Sequence, residues 1–217
     1  MKRYFLGAFV MISITVSAQY GKGDYNHIGI TLAGNYTSLT TNQLETKPEM
    51  SWVTGLSVRG NYYNNFSMVY GMHLTEQRFK VATTNDFIQE DVNYKLMAAQ
   101  IYLLLSYKIA GSFVTLDAGP VLQFNGKLQF NDRDADKQLL GNELLKVSDL
   151  EKVSTFNALG HIGLTAGVEN IRLQVAYQYG FTDLLSNINK QEPVSSLNTE
   201  KLKGNLGVIM AGIIFYF

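Results

Sequence analysis

Residues 171–182 read Ile171-Arg172-Leu173-Gln174-Val175-Ala176-Tyr177-Gln178-Tyr179-Gly180-Phe181-Thr182, with large apolar residues at the odd positions and polar or small residues at the even ones. An alternation of period two is the pattern of a β-strand whose two faces lie in different surroundings. A whole face of aliphatic and aromatic residues beside a polar face is typical of a membrane barrel, which turns one face to lipid and the other to its interior. The stretch therefore predicts a membrane-spanning strand.

The same alternation occurs in seven further segments, each with one face free of charge. They are about 27–36, 52–62, 66–77, 93–109, 114–125, 161–168 and 205–217. The last segment is apolar on both faces, and its lipid side is assigned from the terminal Phe217. Together the eight segments predict an all-β fold, an eight-stranded antiparallel up-and-down transmembrane β-barrel. A soluble lipocalin-like carrier is rejected, because its outward face would have to be polar.

Two places interrupt the alternation. Upstream of Ala99 the apolar phase moves to Tyr94, Leu96 and Ala98, which predicts a β-bulge there. Pro120 has no N–H group to donate to a strand ladder, so it predicts a second irregularity.

The connections between the segments alternate in length. Short turns are predicted at 63–65, 110–112 and 169–170, where Asn and Gly are common. Long polar loops are predicted at about 37–51, 80–91, 126–155 and 183–203. Short periplasmic turns and long external loops are typical of an outer-membrane barrel, so both termini are expected in the periplasm.

An eight-stranded barrel has an interior that side chains can fill without leaving an open channel. The inward positions carry polar residues that we expect to form a lumen network: Arg59, Asp117, Arg172, His73 and His161. We therefore predict a filled lumen. A continuous water path would instead favour a pore for small solutes.

Aromatic residues at the ends of the segments are expected to fix the depth of the barrel in the membrane, because Trp and Tyr favour the headgroup region. The predicted interface anchors are Trp52, Tyr62, Phe66, Tyr179 and Phe217.

The first residues resemble an export signal. Lys2 and Arg3 precede an apolar stretch at about 4–16, and Val16-Ser17-Ala18 carries small residues at the spacing that signal peptidase reads. Residues 1–18 are thus predicted as a signal peptide and residues 19–217 as the barrel domain, with an N-terminal anchor as the alternative. The run 213–217 predicts a final strand that the barrel-assembly machinery recognises, in a protein of the cell outer membrane.

Composition excludes other classes of protein. Lys plus Arg and Asp plus Glu each number 18, so the formal net charge is zero and nucleic acid is not expected as a partner. The chain has no cysteine, which excludes a lipoprotein anchor and disulfides. The expected partners are outer-membrane lipid and, at the external loops, a protein.

Two motifs carry a family resemblance. Leu116-Asp117-Ala118-Gly119-Pro120 matches the pattern L-x-A-G-P, and 173–183 resembles a penultimate strand of the form R-Y-x-x-G-L-T-D. A third stretch, 103–108, is also similar, although Gln100-Ile101-Tyr102 stands where many members have Glu-Ile-Pro. In these stretches the chain resembles the PorT-like outer-membrane β-barrel family. The resemblance implies the barrel and its location; through the family's namesake it suggests an accessory role in protein secretion and gliding, and it implies no reaction.

The third long loop contains a calcium-loop candidate. Asp132, Asp134, Asp136 and Glu143 fall at positions 1, 3, 5 and 12, the spacing of an EF-hand. Position 6 is Lys137, however, where an EF-hand has Gly. Specific calcium binding is therefore weighed against a solvated acidic loop, and no metal or cofactor is assigned.

The same loop has apolar residues at helical spacing, namely Leu139, Leu140, Leu144, Val147, Leu150 and Val153. With Ser148 and Glu151 as a capping box, they would suit a short amphipathic helix that covers the barrel mouth, lies on the outer leaflet or meets a partner. A loop that packs on its own residues is the alternative that we favour.

A lipid-modifying enzyme is the competing functional class. Such an enzyme needs a Ser within reach of a His base and an acid that orients the base. The chain has only His27, His73 and His161, all expected in the lumen, so we assign no catalytic residue. The sequence thus favours a structural or binding scaffold that presents external loops, with an export accessory, an enzyme or a pore as alternatives.

Overall fold

The structure, a computed structural model, describes residues 27–85, 88–190 and 201–217. The signal peptide predicted at 1–18 lies outside these residues, as does residue stretch 191–200 of the last long loop. No helix among the described residues is long and apolar enough to cross a membrane.

The described part of the chain forms ten β-strands, joined by turns and short 3-10 segments. The strands are β1 (His27–Thr41), β2 (Thr46–Tyr63), β3 (Phe66–Asn85), β4 (Ile88–Ala110), β5 (Val114–Gln129), β6 (Gln138–Leu139), β7 (Asn142–Lys146), β8 (Phe156–Gly167), β9 (Ile171–Gly180) and β10 (Gly204–Tyr216).

Eight of these strands form a closed antiparallel ring within the described residues. Each pairs with its neighbour in the order β1-β2-β3-β4-β5-β8-β9-β10, and β10 pairs back onto β1 with Ile30 opposite Phe215. The small hairpin of β6 and β7 attaches to the end of β3. Closure leaves no barrel strand with an unpaired edge. The predicted eight-stranded up-and-down barrel is therefore confirmed.

The outer surface of the ring is an apolar belt. In β9, Leu173 is 60% exposed and Val175 is 59% exposed, whereas the alternating Ala176 and Gln178 are 4% and 2% exposed. Every barrel strand exposes such side chains, for example Leu32, Leu56, Met72, Leu103, Leu122, Leu164, Leu173 and Ile209. A continuous belt of this kind is stable only when hydrocarbon covers it.

At the end of the barrel with the long connections, the polarity of the two faces reverses. On β4, Ile101 and Leu103 face outward. Nearer the beginning of the strand, at its outer end, Lys95 faces outward, whereas Tyr94 and Leu96 are fully buried inside. The neighbouring strand β3 changes in the same way. Water replaces lipid around this outer part, so apolar side chains gain most by pointing inward.

The bulge predicted upstream of Ala99 is found in the pairing of β4 with β5, but the change in apolar pattern there has another cause. The alternation of buried and exposed residues along β4 is unbroken, so Tyr94, Leu96 and Ala98 are inward residues of an apolar interior. The pairing of β4 with β5 does shift between Leu96 and Ala98, but the extra residue is on β5. The apolar pattern of β4 therefore marks a change of surroundings along the strand and not a change of phase on β4 itself.

The irregularity predicted at Pro120 is limited to a gap in the β4–β5 pairing, in which Gly119 and Pro120 have no paired residue on β4. The register of β5 against β4 is the same on both sides of it, with Tyr102 opposite Val121 and Leu105 opposite Ala118. Pro120 faces outward and lies opposite Gly160 of β8. The ring thus accepts the proline without a shift.

The first two long loops are shorter than predicted, because the strands continue beyond the membrane. Only residues 42–45 connect β1 to β2, and β3 and β4 pair up to Asn85 and Ile88. Pairing satisfies the backbone groups of these extensions. The three short turns are found as predicted, with Asn64 and Gly111 at positive φ, 48° and 55°.

Candidate functional site

The outer mouth of the barrel is closed by a cluster of buried apolar side chains, which we call the cap cluster. It consists of Leu39, Leu44, Phe79, Val81, Val92, Tyr94, Leu96, Leu128, Leu139, Leu145, Val147, Leu150, Val153, Leu184, Leu185, Ile188, Leu202 and Leu206. Strand extensions and the short β1–β2 connection, which carries Leu44, supply one part of the cluster, and the two last long connections supply the rest. The mouth is thus filled in the same way as the core of a soluble domain.

The third long connection packs directly into this cluster. Its residues Leu145, Val147 and Leu150 are at most 1% exposed. The Tyr94 hydroxyl donates to the Val147 carbonyl at 3.1 Å. Burial raises the pKa of Tyr94, so the hydroxyl keeps the proton that it donates.

The structure does not form the amphipathic helix that was weighed against a packed loop for this connection. The segment forms the β6–β7 hairpin and a 3-10 turn at Val147–Leu150 instead. The apolar residues of this segment are buried against the barrel mouth. The structure is therefore closer to the alternative, a loop that packs on its own residues, than to a helix.

The fourth connection is held by side chains that cap its backbone. Asp183 accepts hydrogen bonds from the backbone N–H groups of Leu185 and Gly204, at 2.9 and 2.8 Å. The N–H of Ser154 donates to the carbonyl of Leu184 at 2.7 Å, which joins the third and fourth connections. Within the described residues, the third and fourth connections are therefore joined by hydrogen bonds into one packed unit.

The calcium-loop candidate does not assemble a cation site in the part of the chain that the structure describes. Asp132 and Asp134 lie in a 3-10 turn, and Lys137 pairs with Asp134 at 2.7 Å. Asp136 pairs with Lys146 at 3.0 Å. The side chain of Glu143 lies outside the described residues. No described group of His, Asp and Glu is arranged to hold a metal ion.

The outer surface of the cap carries ion pairs. Examples are Lys47 with Asp91 and Lys127 with Glu151, both at 2.7 Å. The hydrogen bond from Lys127 lowers the pKa of Glu151. Exposed pairs add little stability, but they keep this surface hydrophilic above the apolar belt.

Below the cap cluster, side-chain amides fill the lumen, a group that we call the amide layer: Gln77, Gln100, Gln123, Asn125, Asn157 and Gln178. Gln100 donates to Gln123 at 2.7 Å and to Gln178 at 3.0 Å. Asn125 donates to Asn157 at 2.6 Å. Sequence reasoning missed this network, although the inward amides of neighbouring strands were its visible signal.

The predicted lumen network divides into separate groups. His73 lies against the Tyr102 ring, with centroids 4.5 Å apart, and His161 contacts the Gln178 amide at 3.4 Å. Nearer the inner end, Arg59 pairs with Asp117 at 3.4 Å. Thr115 and Thr165 also donate to the Asp117 carboxylate.

Arg172 does not join that pair. Its guanidinium donates to the carbonyls of Ser112, Phe113 and Thr165, at 2.6, 3.4 and 3.4 Å. It lines a cavity of about 580 Å³ at the inner end of the barrel, which we call the inner vestibule. Its lining residues are His27, Arg59, Asn61, Ser67, Lys108, Ser112, Phe113, Thr115, Val168, Glu169, Arg172 and Tyr216.

The predicted interface anchors lie on the outward surface. Tyr62 and Phe217 are 68% and 65% exposed at the inner end. Trp52 and Tyr179 lie toward the outer end. Phe66 is half-buried, because its ring packs on Tyr107 with centroids 5.2 Å apart.

No protein-family model and no curated protein sequence matches this chain significantly. Among solved structures, the chain is similar to Neisserial surface protein A, with TM-score 0.50 and 11% identity over 88% of this chain and 97% of that one. It is similar to Ail of Yersinia pestis in complex with the heparin analogue sucrose octasulfate, with TM-score 0.48 and 14% identity over 89% and 99% of the two chains. A further match is OprG from Pseudomonas aeruginosa, with TM-score 0.44 and 13% identity over 89% and 97%.

At such low identity, the likeness to Neisserial surface protein A supports the fold and nothing finer. The closed ring and the apolar belt are those of an outer-membrane β-barrel. The predicted fold class and location are thus confirmed.

Proposed function

We propose that the protein is a non-conducting outer-membrane scaffold whose ordered external cap forms a binding surface for a protein partner. The observation that carries this proposal is the cap cluster, which fills the outer mouth of the barrel. A pore needs a continuous water path, and a buried apolar cluster across the mouth interrupts one.

The amide layer supports the same proposal. Gln77 and Gln123 are fully buried, and each donates to the other at 3.1 Å. Opening a path through this layer would break several buried hydrogen bonds, each at a cost of roughly 1–3 kcal/mol if its partner stayed dry. Two successive barriers therefore oppose conduction.

The order of the cap supports a role in binding. A surface that is already fixed loses little conformational entropy when a partner docks, so more of the contact energy appears as affinity. The ion pairs of Lys47 with Asp91 and of Lys146 with Asp136 present charges of both signs there. Such a surface suits a polar protein partner better than a hydrocarbon chain.

We propose no enzymatic activity. A hydrolase would need a Ser and a carboxylate around its His base. Among the described residues, His161 has an amide neighbour and His73 an aromatic one, and neither is hydrogen-bonded to a Ser or a carboxylate. Both nitrogens of the His73 ring and Nε2 of His161 are buried and have no hydrogen-bond partner among the described residues. These histidines therefore lack the orienting acid and the nucleophile that a hydrolase needs.

Planar-bilayer recordings and single-cysteine labelling test the proposal together, and the cysteine-free chain gives a clean background. We expect no discrete channels from the purified protein. In intact cells, a membrane-impermeant maleimide should label Asp136→Cys on the cap and should not label Asn65→Cys in the inner turn. Stable channels, or the opposite labelling, would contradict the proposal.

Photo-crosslinking separates a binding surface from a bare lid. A photoreactive residue at Asp136 should capture a protein in intact cells of the native host, and the same residue at Asn65 should not capture that protein. Equal capture at both positions would show that the cap has no special role.

The finer assignment, a PorT-like accessory of protein secretion, is supported only by the sequence resemblance at 116–120 and 173–183. We also propose that the barrel-assembly machinery recognises the C-terminal strand, 204–216, during insertion.

If the protein is an accessory of secretion, a deletion strain should lose secreted protein from the medium, and complementation should restore it. If secretion were unchanged in the deletion strain, the proposed role in secretion would be wrong, and the proposed scaffold role would be unaffected.

A further inference from the structure

The inner vestibule is unlike the rest of the lumen, because it is open and predominantly cationic. The cavity of about 580 Å³ is lined by Arg59, Lys108 and Arg172, together with the hydroxyl groups of Ser67 and Tyr216. It lies among the short turns and the first residues of β1, at the end opposite the cap. Its volume is in the range of small-molecule sites.

Two of the three cations that line this cavity, Lys108 and Arg172, have no carboxylate partner among the described residues. Arg59 is paired with Asp117. Lys108 is hydrogen-bonded to the amide oxygen of Asn61 at 2.8 Å, a neutral partner. Arg172, only 5% exposed, is bonded to backbone carbonyls alone. Among the described residues, neither Lys108 nor Arg172 has a carboxylate partner.

One donor of Arg172 remains unused. Its Nε atom is buried and has no hydrogen-bond partner among the described residues. The acidic residue that lines the same cavity, Glu169, is 74% exposed at its side chain and lies 3.9 Å from His27. A buried cation without a counter-ion is costly, and an unused buried donor adds to that cost.

We infer that the inner vestibule binds a phosphate group, with Arg172 and Lys108 as its two cationic partners. A phosphate ester carries nearly two negative charges and three acceptor oxygens near neutral pH, which matches two cations without carboxylate partners and the adjoining hydroxyl of Tyr216. The cavity is larger than one phosphate and thus has room for the group that the phosphate carries.

The phosphate has two possible sources at this end of the barrel. One is a phosphorylated small molecule of the periplasm, and the other is an anionic lipid headgroup of the inner leaflet. The same two cations would bind either one. This site is separate from the external cap, so its failure would leave the proposed scaffold role unchanged.

NMR of the purified full chain tests the inference. The arginine Nε–Hε resonance assigned to Arg172 is followed in uncharged detergent during titration with inorganic phosphate, and in nanodiscs with or without phosphatidylglycerol. A shift with inorganic phosphate supports a soluble ligand. A shift only with phosphatidylglycerol supports the headgroup.

The variant Lys108→Gln keeps the fold even where Arg172→Gln fails to fold, because Lys108 is near the rim. We expect it to weaken the observed binding about tenfold, the loss of one charge-assisted hydrogen bond. The matched control, Lys127→Gln on the cap, should stay within about twofold. No shift with either probe, or equal affinities for the variant and the wild type, would overturn the inference.

Discussion

Gly71 shows how tightly single residues are placed in the barrel wall. A Cβ atom at this position would lie 2.2 Å from the carbonyl oxygen of Leu56 and 2.7 Å from the hydroxyl oxygen of Tyr102. Gly34, on a strand of the same ring, is a matched control, since its Cβ would come no closer than 3.7 Å to the carbonyl oxygen of Ser51. The first position therefore requires glycine for steric reasons and the second does not.

We expect Gly71→Ala to lower the free energy of unfolding by about 1–3 kcal/mol, the usual cost of forcing extra volume into a packed site. Gly34→Ala should change it by less than about 0.5 kcal/mol. Urea titration of the protein in lipid vesicles, followed by gel mobility of the folded form, measures both. Equal losses would show that the contacts at Gly71 relax without cost.

At the same scale, the sequence predicted which side of each membrane strand faces lipid, and it misassigned residues beyond the membrane. Alternation reveals that two faces differ, but it does not identify the solvent outside. Leu173 and Val175 were assigned correctly because lipid surrounds them. Tyr94 and Leu96 were assigned to the wrong surroundings, because above the belt the apolar face is the inner one.

At the scale of elements, the third long connection is an integral part of the cap. Its apolar residues were visible in the sequence, and their burial at the mouth was one of the options considered. The backbone conformation of this segment could not be predicted from the sequence. The spacing of its apolar residues suits a helix, and the barrel surface on which it packs is not visible in the sequence. Contacts with Leu96 and Leu128 of the barrel decide its shape, and no local pattern encodes them.

We expect Leu150→Ala, at 1% exposure, to destabilise the cap by roughly 2–5 kcal/mol, since a buried cavity would remain. The folded protein should then be cleaved faster by protease within 130–155. The control is Leu173→Ala in the belt, which removes a lipid-facing side chain and should leave cap cleavage unchanged. If both variants were cleaved at the same rate, burial of Leu150 would not stabilise the cap, and the prediction would be wrong.

For the whole molecule, one chain solves two solvation problems. Within the bilayer, the apolar side faces outward, and the lumen holds amides together with small apolar clusters. Outside the bilayer, ion pairs face outward and the large cap cluster fills the lumen. The faces exchange between Leu74 and Phe79 on β3 and between Ile101 and Leu96 on β4. This level marks the external surface of the bilayer. Sequence reasoning located the barrel but not this boundary, because it treated the outer segments as loops.

The two parts should therefore respond differently to urea. Urea weakens apolar burial in water, which holds the cap, whereas lipid shields the backbone hydrogen bonds of the belt. We expect a cysteine at Val147, a buried cap position, to become reactive toward maleimide at a lower urea concentration than the one at which the gel mobility of the barrel is lost. A Ser57→Cys variant, buried within the membrane part of the lumen, is the control and should react only with barrel unfolding. If both cysteines reacted together at the barrel transition, the cap and the barrel would form a single cooperative unit, and the cap would owe its order to the strands rather than to its own packing.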